Sequence, residues 1–146
     1  MAYKGFFKPK FPAKYKGNPT SIIYRSSWEL KFMGWLDNHP DVLQWSSEEF
    51  CIPYRSPIDG RIHRYFPDFY VKKKDVNGKI EILVVEIKPA YQTVAPERKS
   101  KKNKTFIREV VEWGKNEAKW KAAEEFCADR QWKFVKMTER ELGIKH

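Results

Sequence analysis

The segment from Tyr65 to Pro89 most constrains how this 146-residue chain can fold. It contains two apolar runs separated by Asn77-Gly78, a dipeptide that strongly predicts a β-hairpin. Because both residues of the dipeptide tolerate positive φ angles, we expect a two-residue type I′ turn. The segment therefore predicts two antiparallel strands, with Asp68 on the first strand lying across from the end of the second.

The two predicted strands bring three charged groups together. Side chains alternate along a strand, so Glu86 and Lys88 share one face, and the hairpin register places Asp68 nearby. The second strand has the apolar pattern of a buried strand, in which two neighbouring carboxylates need a compensating charge. Carboxylate oxygens, with a backbone carbonyl such as that of Ile87, suit Mg²⁺ or Mn²⁺. The pattern therefore predicts a divalent metal site, with the Lys88 ammonium available to orient water or stabilise a transition state.

This arrangement resembles a known family of enzymes. Pro67-Asp68, followed after seventeen residues by Glu86-Ile87-Lys88, matches the PD-(D/E)xK motif of metal-dependent nucleases with the restriction-endonuclease-like fold. The simpler interpretation is a surface hairpin with a Glu-Lys pair, because short motifs recur by chance. The buried-strand pattern and the hairpin favour the nuclease interpretation.

A closer resemblance extends over nearly the whole chain. The sequence is similar to the head completion nucleases of T4-like tailed phages on four segments, namely Met1 to Ser26, Arg64 to Asp68, Glu86 to Pro89 and Trp120 to Ala123. The resemblance implies a Mg²⁺-dependent endo- and exodeoxyribonuclease that acts in head completion and head–tail joining by trimming packaged DNA. It also implies phage portal or neck proteins as partners, and action in the host cytoplasm during assembly or within the virion.

A helix is predicted from Ser26 or Ser27 to about Asn38, before Pro40. Its apolar stripe comprises Trp28, Phe32, Trp35 and Leu36, while Lys31, Gly34, Asp37 and Asn38 lie on the opposite side. Glu29 falls inside the stripe and is the one acid that we expect against the core. Its partner is either a basic group such as Arg25, in a structural ion pair, or the metal site. The family resemblance implies that Glu29 completes the acidic cluster with Asp68 and Glu86, as a metal ligand or by orienting a water.

Positive charge dominates the sequence, with 29 Lys and Arg residues against 19 Asp and Glu, for a formal net charge of +10. Such an excess favours a polyanionic partner, and double-stranded DNA is the partner that the nuclease resemblance implies. The predicted DNA contacts are Arg25, Arg64, Arg98, Lys99, Lys101, Lys102, Lys104 and Lys119. A membrane surface is not expected, because the sequence has no basic amphipathic helix of the interfacial type.

Much of this charge lies in two segments without helical periodicity. Residues 1–24 form a basic arm rich in aromatic residues and interrupted by prolines, which either follows a nucleic-acid backbone or tucks its rings into the domain. Residues 90–104 form a basic flexible loop, which either clamps phosphates or is a solvated run of charge. Both pairs of alternatives stay open at the level of sequence.

The order of elements predicts an α/β fold, a central mixed β-sheet flanked by helices with a restriction-endonuclease-like core, in a single nuclease domain over residues 1–146. We expect a strand from Glu48 to Tyr54 and a helix from Thr105 that bends or breaks near Gly114. Asn116 is expected to cap a second helix, followed by a strand from Trp132 to Met137.

The sequence also indicates the compartment of the protein and leaves two alternative functions. Two cysteines do not make a disulfide framework, and no apolar run has the length of a signal peptide or membrane span, so we expect an intracellular protein that is not secreted. One alternative is the endonuclease subunit of a transposition system, although such proteins usually carry a further domain. The other is a virion assembly or adaptor protein that binds DNA without cutting it.

Overall fold

The structure is a computed structural model in which residues 4–97 and 103–143 are described. The predicted DNA contacts Arg98, Lys99, Lys101 and Lys102 lie outside the described residues. The strands and helices follow along the chain as β1 (Gly5–Phe7), β2 (Ile22–Tyr24), α1 (Ser27–Asn38), β3 (Val42–Ser47), β4 (Ile52–Arg55), β5 (Ile62–Tyr65), β6 (Phe69–Lys74), β7 (Ile80–Ile87), α2 (Asn103–Asp129), β8 (Lys133–Met137) and α3 (Glu139–Leu142). Short 3₁₀ turns occur at Pro12–Lys14 and Ala90–Thr93.

A mixed four-stranded sheet in the order β3-β6-β7-β8 forms the centre of the fold. The β3–β6 and β6–β7 pairs are antiparallel, whereas β7 and β8 are parallel and are connected through the long helix α2. A parallel pair needs such a crossover, because a tight turn can join only antiparallel strands. The predicted α/β fold with a central mixed sheet and flanking helices is confirmed.

Apolar side chains divide between two clusters, one on each side of the sheet. The larger cluster packs α1 and α3 against the sheet and centres on Phe32, Leu36, Trp45, Phe69 and Val85. The smaller cluster packs α2 against the β4–β5 hairpin, through Trp120 and Ala123 on the helix and Ile52, Tyr54 and Tyr65 on the hairpin. Strand β7 therefore lies between two covered faces, as its apolar sequence predicted.

The β6–β7 hairpin has the predicted position but a different turn. Only Gly78 in this turn has a positive φ, of 80°, and the connection runs over five residues from Asp75 to Lys79. The Asp75 carboxylate accepts hydrogen bonds from the backbone N–H groups of Asn77 (2.8 Å) and Lys79 (3.0 Å). This carboxylate stabilises a longer loop, so the prediction of a two-residue type I′ turn is wrong.

Between α1 and β6 the chain contains three strands, β3, β4 and β5, where one was predicted. Strand β3 ends at Ser47, Glu48 adopts a positive φ of 51°, and β4 begins only at Ile52. The predicted strand from Glu48 to Tyr54 therefore spans a bend, because a left-handed residue interrupts an extended backbone. Pro53 lies in the two-stranded β4–β5 hairpin, where a missing N–H is tolerated.

Helix α1 begins as predicted, with the Ser26 hydroxyl accepting a hydrogen bond from the Glu29 N–H. Its faces differ from the prediction, because Asp37 is 1% exposed and Trp35 is 45% exposed. The Asp37 carboxylate accepts hydrogen bonds from the N–H groups of Lys10 (2.7 Å) and Phe11 (3.2 Å). The N-terminal arm thus covers a side of α1 that periodicity assigned to solvent, and Glu29 is not the only acid placed inward.

The N-terminal arm packs on the domain through part of its length. Strands β1 and β2 pair with each other, and Tyr15 and Ile22 are buried in the larger cluster. The Lys14 ammonium donates hydrogen bonds to the carbonyls of Asp37 (2.8 Å) and His39 (2.9 Å) at the end of α1. Phe6 and Phe11 remain exposed, so the arm combines buried and solvent-facing rings.

Helix α2 is continuous over 27 residues, so the predicted break near Gly114 is wrong. A Cβ at Gly114 would meet no neighbouring atom within 4 Å, and a glycine in a helix weakens it without breaking it. Asn116 is buried within the helix and does not cap a new one. In the described residues, no helix is both long enough and apolar enough to cross a membrane.

Candidate active site

The register of the β6–β7 hairpin places Asp68 next to Glu86. Phe69 pairs with Val85, so the residue before Phe69 lies opposite the residue after Val85. The N–H of Ile87 donates a hydrogen bond of 2.7 Å to Asp68 Oδ2. Asp68 lies in the bend directly before β6 and not within a strand, so its carboxylate is at the end of a central strand of the sheet.

Glu86 is the buried member of the pair, with only 7% of its surface exposed. Its Oε1 accepts a 2.6 Å hydrogen bond from the hydroxyl of Tyr65, and its Oε2 lies 3.8 Å from the ammonium of Lys88. Burial and the carboxylate of Glu86 raise the pKa of Tyr65, so its hydroxyl stays protonated and donates. Tyr65 is a member of this site that the sequence prediction did not include.

Both central carboxyls are shifted toward their neutral forms. Burial raises the pKa of Asp68 well above its ordinary value, and the charge of Glu86 raises it further, while the hydrogen bond from Ile87 opposes the shift. Burial also raises the pKa of Glu86, against the Tyr65 hydrogen bond and the nearby charge of Lys88. Two carboxylates in this position need positive charge to be ionised together.

Glu29 lies at the first turn of α1, close enough to Asp68 for its charge to raise the pKa of Asp68. Its Oε1 accepts a hydrogen bond of 3.1 Å from the backbone N–H of Arg25. Burial raises the pKa of Glu29. The hydrogen bond from Arg25 opposes this shift, and the negative charge of Glu48 adds to it. The guanidinium of Arg25 pairs with Glu48 and not with Glu29.

Glu48 is a fourth acid beside this site, and sequence reasoning missed it. Its N–H donates a hydrogen bond of 3.2 Å to the carbonyl of Asp68. Its charge raises the pKa values of Glu29, Asp68 and Glu86. Because the sequence reading placed Glu48 inside a strand, the bend that turns it toward Asp68 had no visible signal.

Lys119 reaches the same site from α2. Its ammonium lies 5.9 Å from the ring centroid of Tyr54 and 5.8 Å from that of Tyr65. Burial, then the charge of Lys115, lowers the pKa of Lys119, while the charge of Glu86 opposes the shift. Lys119 was predicted as a DNA contact, and its position places it beside Glu86 and Lys88 as a second cation of the site.

Comparison with known proteins agrees with this geometry. Residues 39–139 match the family described as TnsA-like endonuclease N terminal, a span that contains Asp68, Glu86 and Lys88. The chain belongs to the TnsA-like endonuclease family. The head completion nuclease of Enterobacteria phage T4 is 40% identical over 152 aligned residues, which cover 99% of this chain and 99% of that protein. The predicted relation to head completion nucleases, and with it the prediction of a nuclease, is confirmed.

The remaining predicted DNA contacts of this endonuclease lie at different places on its surface. Arg64 is exposed on β5, with its guanidinium 5.8 Å from the ring centroid of Phe66. The Arg25 side chain is half-exposed beside Glu48, and Lys104 is exposed in the first turn of α2. Of these three residues, Arg25 is linked to the site through its ion pair with Glu48.

The donor atoms at the Asp68–Glu86 pair suit a hard divalent cation, because all of them are oxygen. In the described ranges, no three His, Cys, Asp or Glu side chains are arranged to hold one ion together. Mg²⁺ does not require such a set, since it keeps several waters and is commonly bound through one or two carboxylates. The pair therefore fits a divalent ion.

Lys119→Met is expected to lower cleavage by up to about tenfold at the acid end of the pH profile, and progressively less as the pH rises. The ammonium of Lys119 lowers the pKa of Glu86, so its removal raises that pKa and leaves more Glu86 protonated in acid. The measurement is the rate of DNA cleavage as a function of pH, with Lys121→Met as control on the exposed side of the same helix. A uniform loss at every pH would contradict this role.

Proposed function

We propose that the chain hydrolyses phosphodiester bonds of DNA with a divalent cation, Mg²⁺ or Mn²⁺, held by Asp68 and Glu86. The observation that carries the proposal is the buried carboxylate pair with the Lys88 ammonium 3.8 Å from Glu86, at the adjoining ends of the central strands β6 and β7. Three charged groups in a largely apolar setting tend to destabilise a fold, and a functional role accounts for their presence here. The TnsA-like family match supports hydrolysis as that function.

Each residue of the site has a distinct task in this proposal. Asp68 and Glu86 hold the cation, which when bound offsets charge on the phosphate under attack and lowers the pKa of a water. Lys88 orients the attacking water or stabilises the negative charge that develops on the phosphate. Glu29, on α1, ligates the cation with Asp68 and Glu86 or orients that water. Tyr65 positions Glu86 through its hydroxyl and is not itself a reacting group.

DNA is the substrate that best fits the charge of the protein. The formal net charge of +10 attracts a polyanion and releases counterions from each phosphate that it neutralises. Arg25, Arg64 and Lys104 are proposed phosphate contacts among the described residues, and the predicted cations between positions 98 and 102 belong to the same proposal. Double-stranded DNA is the proposed form of the substrate, because the name of the relative associates that protein with phage heads.

We further propose that the enzyme acts in completion of the phage head. Its similarity to a protein named head completion nuclease runs over 99% of both chains, which supports a shared task and not merely a shared domain. Trimming of packaged DNA before tail joining would use an endonuclease and an exonuclease activity at the same site. Portal or neck proteins would then be its partners, in the host cytoplasm during assembly or in the virion.

The test is cleavage of supercoiled plasmid by the purified wild-type chain with Mg²⁺, with Mn²⁺ or with EDTA. We expect nicked and linear products with either cation and none with EDTA. An end-labelled linear duplex in the same reactions separates exonuclease trimming, which shortens the labelled end, from internal cutting. Cleavage that persists in EDTA would contradict a metal-dependent mechanism, and intact DNA under every condition would favour a binding role.

A further inference from the structure

The β4–β5 hairpin lies beside the active site, and apart from Tyr65 and Arg64 its residues have no part in the roles described above. Its register pairs Ile52 with Tyr65 and Pro53 with Arg64, and this alternation divides its residues between two faces. Ile52, Tyr54 and Tyr65 form the inner face and pack on α2. The outer face is left without a covering element in the described part of the chain.

The outer face carries positive charge and exposed apolar groups. Arg55 and Ile62 are paired across the hairpin and are both exposed, as is Arg64. Ile58 at the tip is 57% exposed and Ile62 is 60% exposed. Ile62, which pairs with Arg55, therefore leaves apolar surface in water beside that arginine.

The one acid of the hairpin does not cancel this charge. Asp59 lies at the tip, where its carboxylate accepts a hydrogen bond of 2.9 Å from the N–H of Arg61. Its second oxygen lies 2.8 Å from Nε2 of His63. Asp59 is thus occupied within the tip, and Arg55 and Arg64 face outward.

Internal hydrogen bonds hold the tip in one shape. The N–H of Ser56 donates to the carbonyl of Arg61 and the N–H of Gly60 donates to the carbonyl of Ser56, both at 2.9 Å. The guanidinium of Arg55 also donates to the carbonyl of Gly60, which leaves its other N–H groups available. A tip that is already held in one conformation loses little conformational entropy when it binds a partner.

The hairpin is tied directly to the catalytic pair. Tyr65 is the last residue of β5, and its hydroxyl bonds Glu86 at 2.6 Å. Any partner that the hairpin holds is therefore held at a fixed position relative to Glu86 and Lys88.

We propose that the β4–β5 hairpin enters the major groove of duplex DNA beside the phosphodiester bond that is cut. Two paired strands lie about 4.8 Å apart and, with their side chains, fit a groove about 12 Å wide but not a minor groove of about 6 Å. Arg55 and Arg64 contact the phosphates that flank the groove. This inference rests on the proposed nuclease function and assigns the surface that positions its substrate.

The isoleucines distinguish insertion into the groove from contact with the backbone alone. Phosphates offer nothing to an apolar side chain, whereas the floor of the major groove presents thymine methyl groups and base edges. Ile58 and Ile62 gain by burial only if the hairpin enters the groove. The hairpin thus contributes both affinity, through its arginines, and placement, through its apolar tip.

The test compares binding of a short DNA duplex by fluorescence anisotropy, in EDTA, over a series of salt concentrations. Arg55→Gln combined with Arg64→Gln is expected to weaken binding at least about tenfold and to reduce the slope of log affinity against log salt by roughly 2. Arg64→Gln alone, which leaves the Arg55 bond to Gly60 intact, is expected to reduce that slope by about 1. Arg140→Gln, on α3 across the sheet, is the matched control and should leave the slope unchanged.

Ile62→Ala and chemical footprinting test the groove itself. Ile62→Ala is expected to weaken binding severalfold with no change in slope, and wild-type protein should protect guanine N7, a major-groove atom, from dimethyl sulfate. A wild-type slope in the double variant would overturn the DNA contact. If the slope is reduced but the guanines stay unprotected and Ile62→Ala binds DNA like wild type, the proposed insertion into the major groove would be overturned. Binding is measured in EDTA, without cleavage, so this test can be interpreted even if the nuclease proposal fails. The plasmid assay tests the nuclease proposal separately, so it can be interpreted even if the hairpin proposal fails.

Discussion

Glu86→Gln is expected to lower the rate of plasmid cleavage by at least about 10³-fold, while DNA binding changes less than twofold. The substitution keeps the shape of a side chain that is 7% exposed and keeps an acceptor for Tyr65, but it removes the negative charge. A carboxamide is a poor ligand for a divalent ion next to the Asp68 carboxylate. The measurements are nicking rates at saturating protein and duplex binding by anisotropy.

Glu81→Gln is the matched control for this experiment. Glu81 lies on the same strand β7, but its carboxylate pairs with Lys73 at 3.0 Å and with Lys133 at 3.3 Å, away from the site. We expect this variant to cleave at the wild-type rate. If Glu86→Gln retained even a tenth of the wild-type rate, the assignment of the catalytic pair would be wrong.

Asp68→Asn is expected to lower the rate of cleavage by as much as Glu86→Gln does. In the absence of divalent ions it is also expected to stabilise the fold. The pKa of Asp68 is raised in the folded protein, so folding favours its neutral form. This favourable contribution is complete below the unfolded-state pKa of Asp and is lost as pH rises through the raised folded-state pKa. Asparagine mimics the neutral form at every pH.

The gain in stability from Asp68→Asn should therefore grow with pH. We expect little difference from wild type near pH 4 and about 1–2 kcal/mol near pH 8, or roughly 3–6 °C in melting temperature. Thermal unfolding in EDTA across this pH range measures it, with Asp41→Asn as an exposed control that should show no gain. Added Mg²⁺ should raise the melting temperature of wild type and not of Asp68→Asn. A gain that is independent of pH would contradict the electrostatic explanation.

The central part of this site could be predicted because its information is local. Asp68, Glu86 and Lys88 lie on one hairpin, and alternation along two adjacent strands fixes which side chains share a face. The exact turn did not matter for this result. The five-residue connection changes the loop between Asp75 and Lys79 without moving the pairing at the other end of the strands.

The rest of the site depends on contacts between elements that are distant in sequence. Tyr65 approaches Glu86 because the β4–β5 hairpin packs on α2, and Lys119 approaches it from α2 itself. The position of Glu48 arises from its own left-handed backbone conformation directly after β3, which the sequence pattern did not indicate. Single-sequence periodicity has no information about these contacts, since each of them arises only when the separate elements assemble.

Helical periodicity failed on α1 for a related reason. It assumes one buried face per helix, whereas the N-terminal arm covers a second face and buries Asp37 with two backbone N–H partners. The same periodicity correctly placed Phe32 and Leu36 in the core, because those residues face the sheet. Trp35, at the border of the two faces, stays partly exposed against His39.

The parallel pairing of β7 with β8 also determines when the central sheet can be completed during synthesis of the chain. The N–H of Lys88 donates to the carbonyl of Met137, and Glu86 is in register with Lys136, so the strand that carries the catalytic groups completes its hydrogen bonding only with β8. A ribosome adds about 5–20 residues per second, so a nascent chain emerges for several seconds before β8 is available. Until then the strand that carries Glu86 has an open edge, with backbone N–H and C=O groups available to other chains.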